Sequence, residues 1–395
     1  MVNPDTIYLD NAATTAVDPR VLEAMLPFLS HGYGNPSSVH RTGLAARAAL
    51  DKARMEVAEG VGASGEEIVF TSCGTESNNL ALRGVAFARQ SEGRHLITSA
   101  VEHHAIIRTM AQLADHFGFE VTYLPVDRSG LVDPGDLERA LRSDTTLVSI
   151  ILANNEVGTV EPVAEMARLV HARGAVFHTD AVQAVGHLPV DVNALGVDLL
   201  SFSGHKLHAP KGVGALYVRN GTPLLPMQTG GGQEAGRRSG TENLPYIVGL
   251  AKAVSLASDN LEEHVACVRA LRDRLIAGVL ERIPDVLLTG HPDLRTPHNA
   301  SFAFAGVEGE SLVVQLTISG VEASTGSACS AGEAGASHVL EAMAIPEPWI
   351  HGSLRLSLSR QTTAQEIDRT LDVLCSAISR LRALAPSYAS APLDA

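Results

Sequence analysis

From about residue 66 to 219, short apolar runs alternate with stretches of helical period, the pattern of an α/β unit built on a largely parallel sheet. Glu67 to Thr71, Leu96 to Ser99, Phe119 to Leu124, Leu147 to Leu152 and Ala175 to His178 read as strands. Between the last two, Val163, Met166, Ala167 and Val170 fall at i, i+3, i+4 and i+7, which predicts one apolar stripe on a helix ending near Gly174. Val197 to Phe202 and Val213 to Val218 add two strands, the second after a turn rich in Pro and Gly. A glycine cluster follows at 230–232, and Leu261 to Ile283 reads as a long helix. Beyond a boundary near 255, short strands and helices alternate as a smaller α+β unit. No repeat or low-complexity segment appears, and the Ala- and Pro-rich stretch from Ala383 reads as a frayed end.

Composition narrows the class. The chain has 395 residues, 45% apolar and 19% charged, as an ordinary folded enzyme has. With 44 acidic against 30 basic residues the formal charge is −14, which works against a nucleic-acid backbone as direct partner. The opening Met-Val-Asn-Pro-Asp has no basic stretch followed by a long apolar one, and the greasy run from Leu147 to Ala153 is too short to span a bilayer, so a cytoplasmic protein without membrane association is expected. Four cysteines, at 73, 267, 329 and 375, form neither a disulfide framework nor a C-x-x-C pair.

Three stretches carry candidate chemistry. In Phe70-Thr-Ser-Cys-Gly-Thr-Glu-Ser-Asn-Asn-Leu an apolar strand runs through a small-residue turn into a helix, which aims free N–H groups, the helix dipole and the Thr75 hydroxyl at an anion such as a phosphate. Taken alone, the same turn is equally an ordinary helix cap. Ser201-Phe-Ser-Gly-His-Lys206 ends a strand with small residues that leave the lysine amine reachable, as Schiff-base chemistry requires. Upstream, His178-Thr-Asp180-Ala-Val-Gln183 ends another strand with a carboxylate, the group that on a pyridinium nitrogen makes pyridoxal phosphate an electron sink. One such motif is weak evidence; three strand ends that each offer one correct group for one cofactor are much stronger.

With these stretches the chain resembles the cysteine desulfurases of the nitrogen-fixation and iron–sulfur-cluster type, within the class V aminotransferase-like group. The resemblance runs nearly end to end: Tyr8-Leu-Asp-Asn-Ala-Ala-Thr-Thr15, Gly34-Asn-Pro-Ser37, Phe70 to Asn79, Glu102-His-His104, Asn154-Asn-Glu-Val-Gly158, Ser203-Gly-His-Lys206, Arg238-Ser-Gly-Thr241 and Ser324-Thr-Gly-Ser-Ala-Cys329. It departs from the family at Ser330-Ala331 and at Gly335-Ala336. The resemblance implies an α/β fold, the aspartate-aminotransferase-like fold type I of pyridoxal-phosphate enzymes. A large domain with a mostly parallel sheet would span 16–255. A small α+β domain would be assembled from 1–15 and 256–395 and carry the Cys329 loop, about 322–335.

The roles that follow are those the resemblance implies. Lys206 holds pyridoxal 5'-phosphate covalently and later moves the α-proton, Asp180 keeps the ring nitrogen protonated, Gln183 bonds the ring hydroxyl and His103 stacks on the ring. Gly74, Thr75, Ser203 and His205 cradle the phosphate, joined by Thr241 from the partner subunit of a homodimer. Arg355, in Gly352-Ser-Leu-Arg355-Leu-Ser, clamps the substrate carboxylate through a bidentate fork, with Asn155 as a polar contact to both the cofactor ring and the substrate and Asn35 also on the substrate. Cys329, in a run of small residues, takes sulfur from free L-cysteine as a persulfide, leaving L-alanine. The acceptor downstream is an iron–sulfur scaffold protein or another sulfur carrier. A related lyase or aminotransferase of the same fold, such as a selenocysteine lyase, is the alternative.

The remaining Cys and His residues read as structural. Cys267 and Cys375 fall at apolar helical spacing and are expected in core or interface packing, and Cys73 shapes the phosphate turn. Sixteen histidines include His103, His104, His178, His205 and His208, but neighbours on a strand face opposite ways and no H-E-x-x-H or Cys/His cage spacing occurs. No permanent metal site is expected; Cys329 could at most ligate an iron–sulfur unit transiently through its persulfide.

Overall fold

The computed structural model describes residues 6–326 and 336–384, so Cys329 lies outside the described residues. Its strands are β1 (Ile7–Tyr8), β2 (Ile68–Thr71), β3 (His95–Ser99), β4 (Glu120–Leu124), β5 (Thr145–Ser149), β6 (Val176–Asp180), β7 (Leu199–Ser203), β8 (Gly214–Val218), β9 (Val286–Leu288), β10 (Asn299–Phe304), β11 (Val321–Glu322) and β12 (Ser353–Ser357). A seven-stranded sheet runs in the order β2-β8-β7-β6-β5-β3-β4. β8 is antiparallel to both neighbours and the other pairings are parallel. β2, β3, β5, β6 and β7 therefore end on the same edge, where open α/β sheets place their ligands.

Every residue of β5, β6, β7 and β8 is buried, which is why these strands read as apolar runs without alternation. One sheet face packs on helices Arg41–Glu59, Val163–His171 and Leu244–Ser258 through an apolar cluster that includes Leu50, Met166, Phe177 and Leu250. The other face packs on helices Gly74–Ala88 and His104–Phe117 around Leu82, Leu96 and Ile106. Each such fully buried side chain contributes about 1.5–3 kcal/mol. The helix Val163–His171 buries the four residues of the expected stripe, and the chain turns away at Gly174 with φ +73°. A third cluster joins Ile7 and Leu9 to Phe302, Leu354, Leu374 and helices Leu261–Arg282 and Ala364–Leu384, across the antiparallel sheet β12-β10-β9.

Two expectations need correction. The strand expected over Leu147 to Leu152 runs over Thr145–Ser149 instead. Beyond Ser149 the Ile150 and Leu152 N–H groups still donate to His178 O and Asp180 O of β6 at 3.1 and 2.9 Å, but the Ile151 N–H is taken by the Glu102 carboxyl at 2.9 Å, so the ladder with β3 stops. Of the core or interface packing expected for Cys267, the core is excluded, since it is exposed on helix Leu261–Arg282, whereas Cys375 packs half-buried against the third cluster. No helix among the described residues is long and apolar enough to cross a membrane.

Candidate active site

At the carboxyl edge of the large sheet lies a cavity of about 400 Å³. Lys206, His205, Asp180, Gln183, Ser203, Gly74, Thr75, His103, Asn155 and Arg355 all line it. These residues come from the ends of β2, β6 and β7, the segments after β3 and β5, and strand β12, so six separate parts of the chain meet in one space.

The lysine is held by the N-terminal segment. Its Nζ donates to the carbonyl oxygens of Ala12 at 2.5 Å and Ala13 at 2.6 Å. That segment is itself clamped: the Ala12 N–H donates to Ser357 Oγ at 2.8 Å, Asn11 Nδ2 to Ser357 O at 2.8 Å, and Thr15 N and Oγ1 to His205 O at 2.9 and 3.0 Å. Gln183 Nε2 donates to the same Ala12 carbonyl at 2.9 Å.

Asp180, the last residue of β6, is buried with both oxygens engaged. Asn78 Nδ2 donates to Oδ2 at 2.6 Å and the Val182 N–H to Oδ1 at 2.9 Å. Gly74 and Asn78 stand one turn apart on helix Gly74–Ala88, so one helix face presents both a backbone N–H terminus and the amide that orients Asp180. The helix begins at Cys73 without a side-chain cap, and Ser203 Oγ is buried with no partner among the described residues. A Cβ on Gly74 would lie 2.8 Å from Val182 Cγ2, so the turn is open only because no side chain stands there. Uncapped N–H groups, an unpartnered hydroxyl and a cleared cradle together suit a bound phosphate.

His103 caps helix His104–Phe117, its Nδ1 accepting from the Ala105 N–H at 3.1 Å. Burial holds its pKa below 6.5; Asp180 opposes that and Lys206 reinforces it. The neutral ring therefore carries its proton on Nε2. His103 and His104 sit at a helix start, not on a strand as expected, because His103 supplies the cap. Burial and the Lys206 charge also push His205 down to about 4. His178 is a core residue: its ring nitrogens meet Ser149 Oγ at 2.8 Å and Ser201 Oγ at 3.0 Å across three adjacent strands, and burial lowers it to about 3. Among the described residues no group of three or more His, Cys, Asp or Glu is placed to hold a metal ion.

Arg355 is buried on β12 and pairs with Asp10 Oδ1 at 2.9 Å, and its Nη1 donates to Asn155 O at 2.7 Å. Its Nε is buried with no partner among the described residues, a donor suited to a carboxylate. Thr241 and Asn35 stand apart from this cavity within one chain. Thr241 is exposed beside a smaller cavity of about 150 Å³, and Asn35 is exposed with its Oδ1 accepting from the Ser37 N–H at 2.9 Å. Sequence reasoning missed Asp10, Asn78 and the Ala12 and Ala13 carbonyls. Helical spacing from Gly74 points to Asn78, but nothing local marks the other three.

Comparison with known proteins places this geometry. The family model Aminotransferase class-V matches residues 7–370. The chain is similar to proteins named cysteine desulfurase IscS, at 51% identity to that of Dictyoglomus turgidum and 50% to that of Methanosarcina thermophila. These alignments cover 96% of this chain and 96% and 94% of the relatives. Among solved structures, one named NifS-like protein is 40% identical with a TM-score of 0.89, over 95% of this chain and 100% of that one. A NifS-like protein of Rickettsia africae is 31% identical with a TM-score of 0.84, over 95% and 99%.

Proposed function

The chain belongs to the class V aminotransferase family and is a cysteine desulfurase, and from that premise we propose how its residues carry the reaction. Such an enzyme converts L-cysteine and an acceptor thiol to L-alanine and a persulfide. The substrate C–S bond breaks and a new S–S bond forms on the acceptor. The former sulfur-bearing carbon is reduced by a C–H bond, and the sulfur is oxidised to the disulfide level, so no outside oxidant enters. The relatives carry the cysteine desulfurase name over nearly their whole length, which leaves a selenocysteine lyase unfavoured.

Pyridoxal phosphate, when bound, supplies an electron sink for the carbon bearing the substrate amine. The residues fit it. Gly74, Thr75, Ser203 and His205 would hold the phosphate, Asp180, held by Asn78, would keep the ring nitrogen protonated, Gln183 would meet the ring hydroxyl, and His103 would cover the ring as a neutral imidazole. Lys206 Nζ would hold the cofactor and would be the atom that takes and returns the α-proton. Arg355, braced by Asp10 and the Asn155 carbonyl, binds the substrate carboxylate through its open donors. Asn155, in the cavity wall, completes the substrate contacts.

The acceptor is Cys329, three residues along the chain from Gly326, which lines the cavity. Two chains form a homodimer in which each supplies Thr241 to the other's phosphate site; its exposure outside its own cavity supports this. The larger unit is 16–255, and the smaller joins 1–15 to 256–395, as the separate apolar cluster around Ile7, Leu9 and Phe302 supports. The protein works in the cytoplasm and passes sulfur to an iron–sulfur scaffold or another carrier.

The convergence of Lys206, Asp180 and Arg355 on one cavity carries the reading. Its test is the loaded enzyme with L-cysteine, reading alanine and sulfur mass on each thiol. Cys329→Ala keeps the bound cofactor's visible absorption and makes no persulfide at 329 or sulfide, whereas Lys206→Ala abolishes turnover. Undiminished sulfide from Cys329→Ala refutes the acceptor assignment.

A further inference from the structure

Glu156 follows Asn155, which lines the cavity, and its carboxylate bonds one root of the segment that carries Cys329 and stands beside the other. Ser337, eight residues beyond that cysteine, donates from Oγ to Glu156 Oε2 at 2.5 Å. At Gly326, three residues before it, the position a Cβ would take lies 3.5 Å from the same Oε2. Glu156 is buried and its backbone is fixed. Its N–H and that of Val157 donate to Asn154 Oδ1 at 2.8 and 2.9 Å, and its carbonyl accepts from Asn299 Nδ2 at 3.2 Å.

Both roots are also tied to the site. Gly326 adopts φ +86°, and its carbonyl accepts from Arg355 Nη1 at 3.4 Å, the nitrogen that also bonds Asn155 O. Ser337 Oγ accepts from the Val339 and Leu340 N–H groups at 3.1 and 3.4 Å, so the oxygen that bonds Glu156 also caps helix His338–Ala342. Chain ends fixed beside a site raise the effective concentration of a group they flank.

We infer that Glu156 is a positioning residue for sulfur transfer: by holding the Ser337 root of the Cys329 segment, while Arg355 bonds the Gly326 root, it sets the approach of the thiol to the substrate sulfur. The inference rests on Cys329 being the acceptor. Misplacement of a reacting group by about 1 Å can cost on the order of a hundredfold. The loss therefore belongs in the transfer step and not in cofactor or cysteine binding.

The experiment is single-turnover mixing of the loaded enzyme with L-cysteine, with the persulfide on Cys329 followed by mass after quenching. Glu156→Ala and Ser337→Ala each slow persulfide formation roughly tenfold or more, while the bound cofactor's absorption and the KM for cysteine stay within about twofold. Glu156→Gln keeps an acceptor for Ser337 and recovers to within about threefold of the parent. The double variant is no slower than the slower single one, since both remove the same bond. Parental persulfide formation in either alanine variant overturns the inference, as does a loss that falls equally on cofactor binding. If Glu156→Ala does not fold, Ser337→Ala alone decides. Cys329→Ala in the same assay separates the two ideas: persulfide formed at the parental rate without that thiol refutes the acceptor, whatever Glu156 does.

Discussion

Replacing Glu102 by Gln should change how stability depends on pH. Glu102 has no exposed surface; its Oε1 accepts from Ser99 Oγ at 2.6 Å and the Ile151 N–H at 2.9 Å, and its Oε2 has no partner among the described residues. Burial pushes its pKa from 4.5 up to about 8, against the two hydrogen bonds and with help from the charges of Asp180 and Glu161. Between those pH values the folded chain keeps a proton that the unfolded chain has lost. The stability from this proton is complete below 4.5 and is lost as pH rises through 8. Each pH unit in that window costs about 1.4 kcal/mol, so the loss is on the order of 3 kcal/mol by pH 7 and 5 kcal/mol by pH 9. Glutamine keeps the acceptor for Ser99 and Ile151 and stays neutral. Glu102→Gln should therefore match the parent within about 1 kcal/mol at pH 5 and exceed it by several kcal/mol at pH 9. Urea midpoints of the cofactor-loaded proteins at pH 5, 7 and 9 measure the difference. The buried histidines His178 and His187, lowered by desolvation to about 3 and 4, shape the acid limb of both proteins alike and cancel. Parallel curves from pH 5 to 9 would show that Glu102 is ionised in the folded state and refute the reasoning.

Arg355→Lys keeps the charge but loses the planar fork, so the KM for cysteine should rise roughly tenfold or more with cofactor affinity unchanged; an unchanged KM removes Arg355 from the substrate carboxylate. Gly74→Ala puts a methyl 2.8 Å from Val182 Cγ2, a stiff β-branched side chain, and should weaken cofactor retention roughly tenfold in a dialysis titration; full retention would mean the phosphate lies elsewhere.

The fold class was legible because parallel strands buried on both faces leave short apolar runs with little alternation, as β5 to β7 do. The stripe of Val163, Met166, Ala167 and Val170 was legible because helical period is local. Strand limits were less so: the end of β5 depends on a glutamate 49 residues away that captures one N–H.

Lys206, Asp180 and the helix turn at Gly74 could be named from the chain alone, since each sits where a strand ends and small residues begin, and that junction is written in a few neighbouring positions. Their working state could not. The carbonyls on Lys206 come from 194 and 193 residues away, and the carboxylate on Arg355 from 345. Burial decides the charge of His103, His205 and Glu102. Residue type and spacing are properties of adjacent positions, whereas desolvation and partnership belong to whatever distant chain packs against them, and only the tertiary structure decides that.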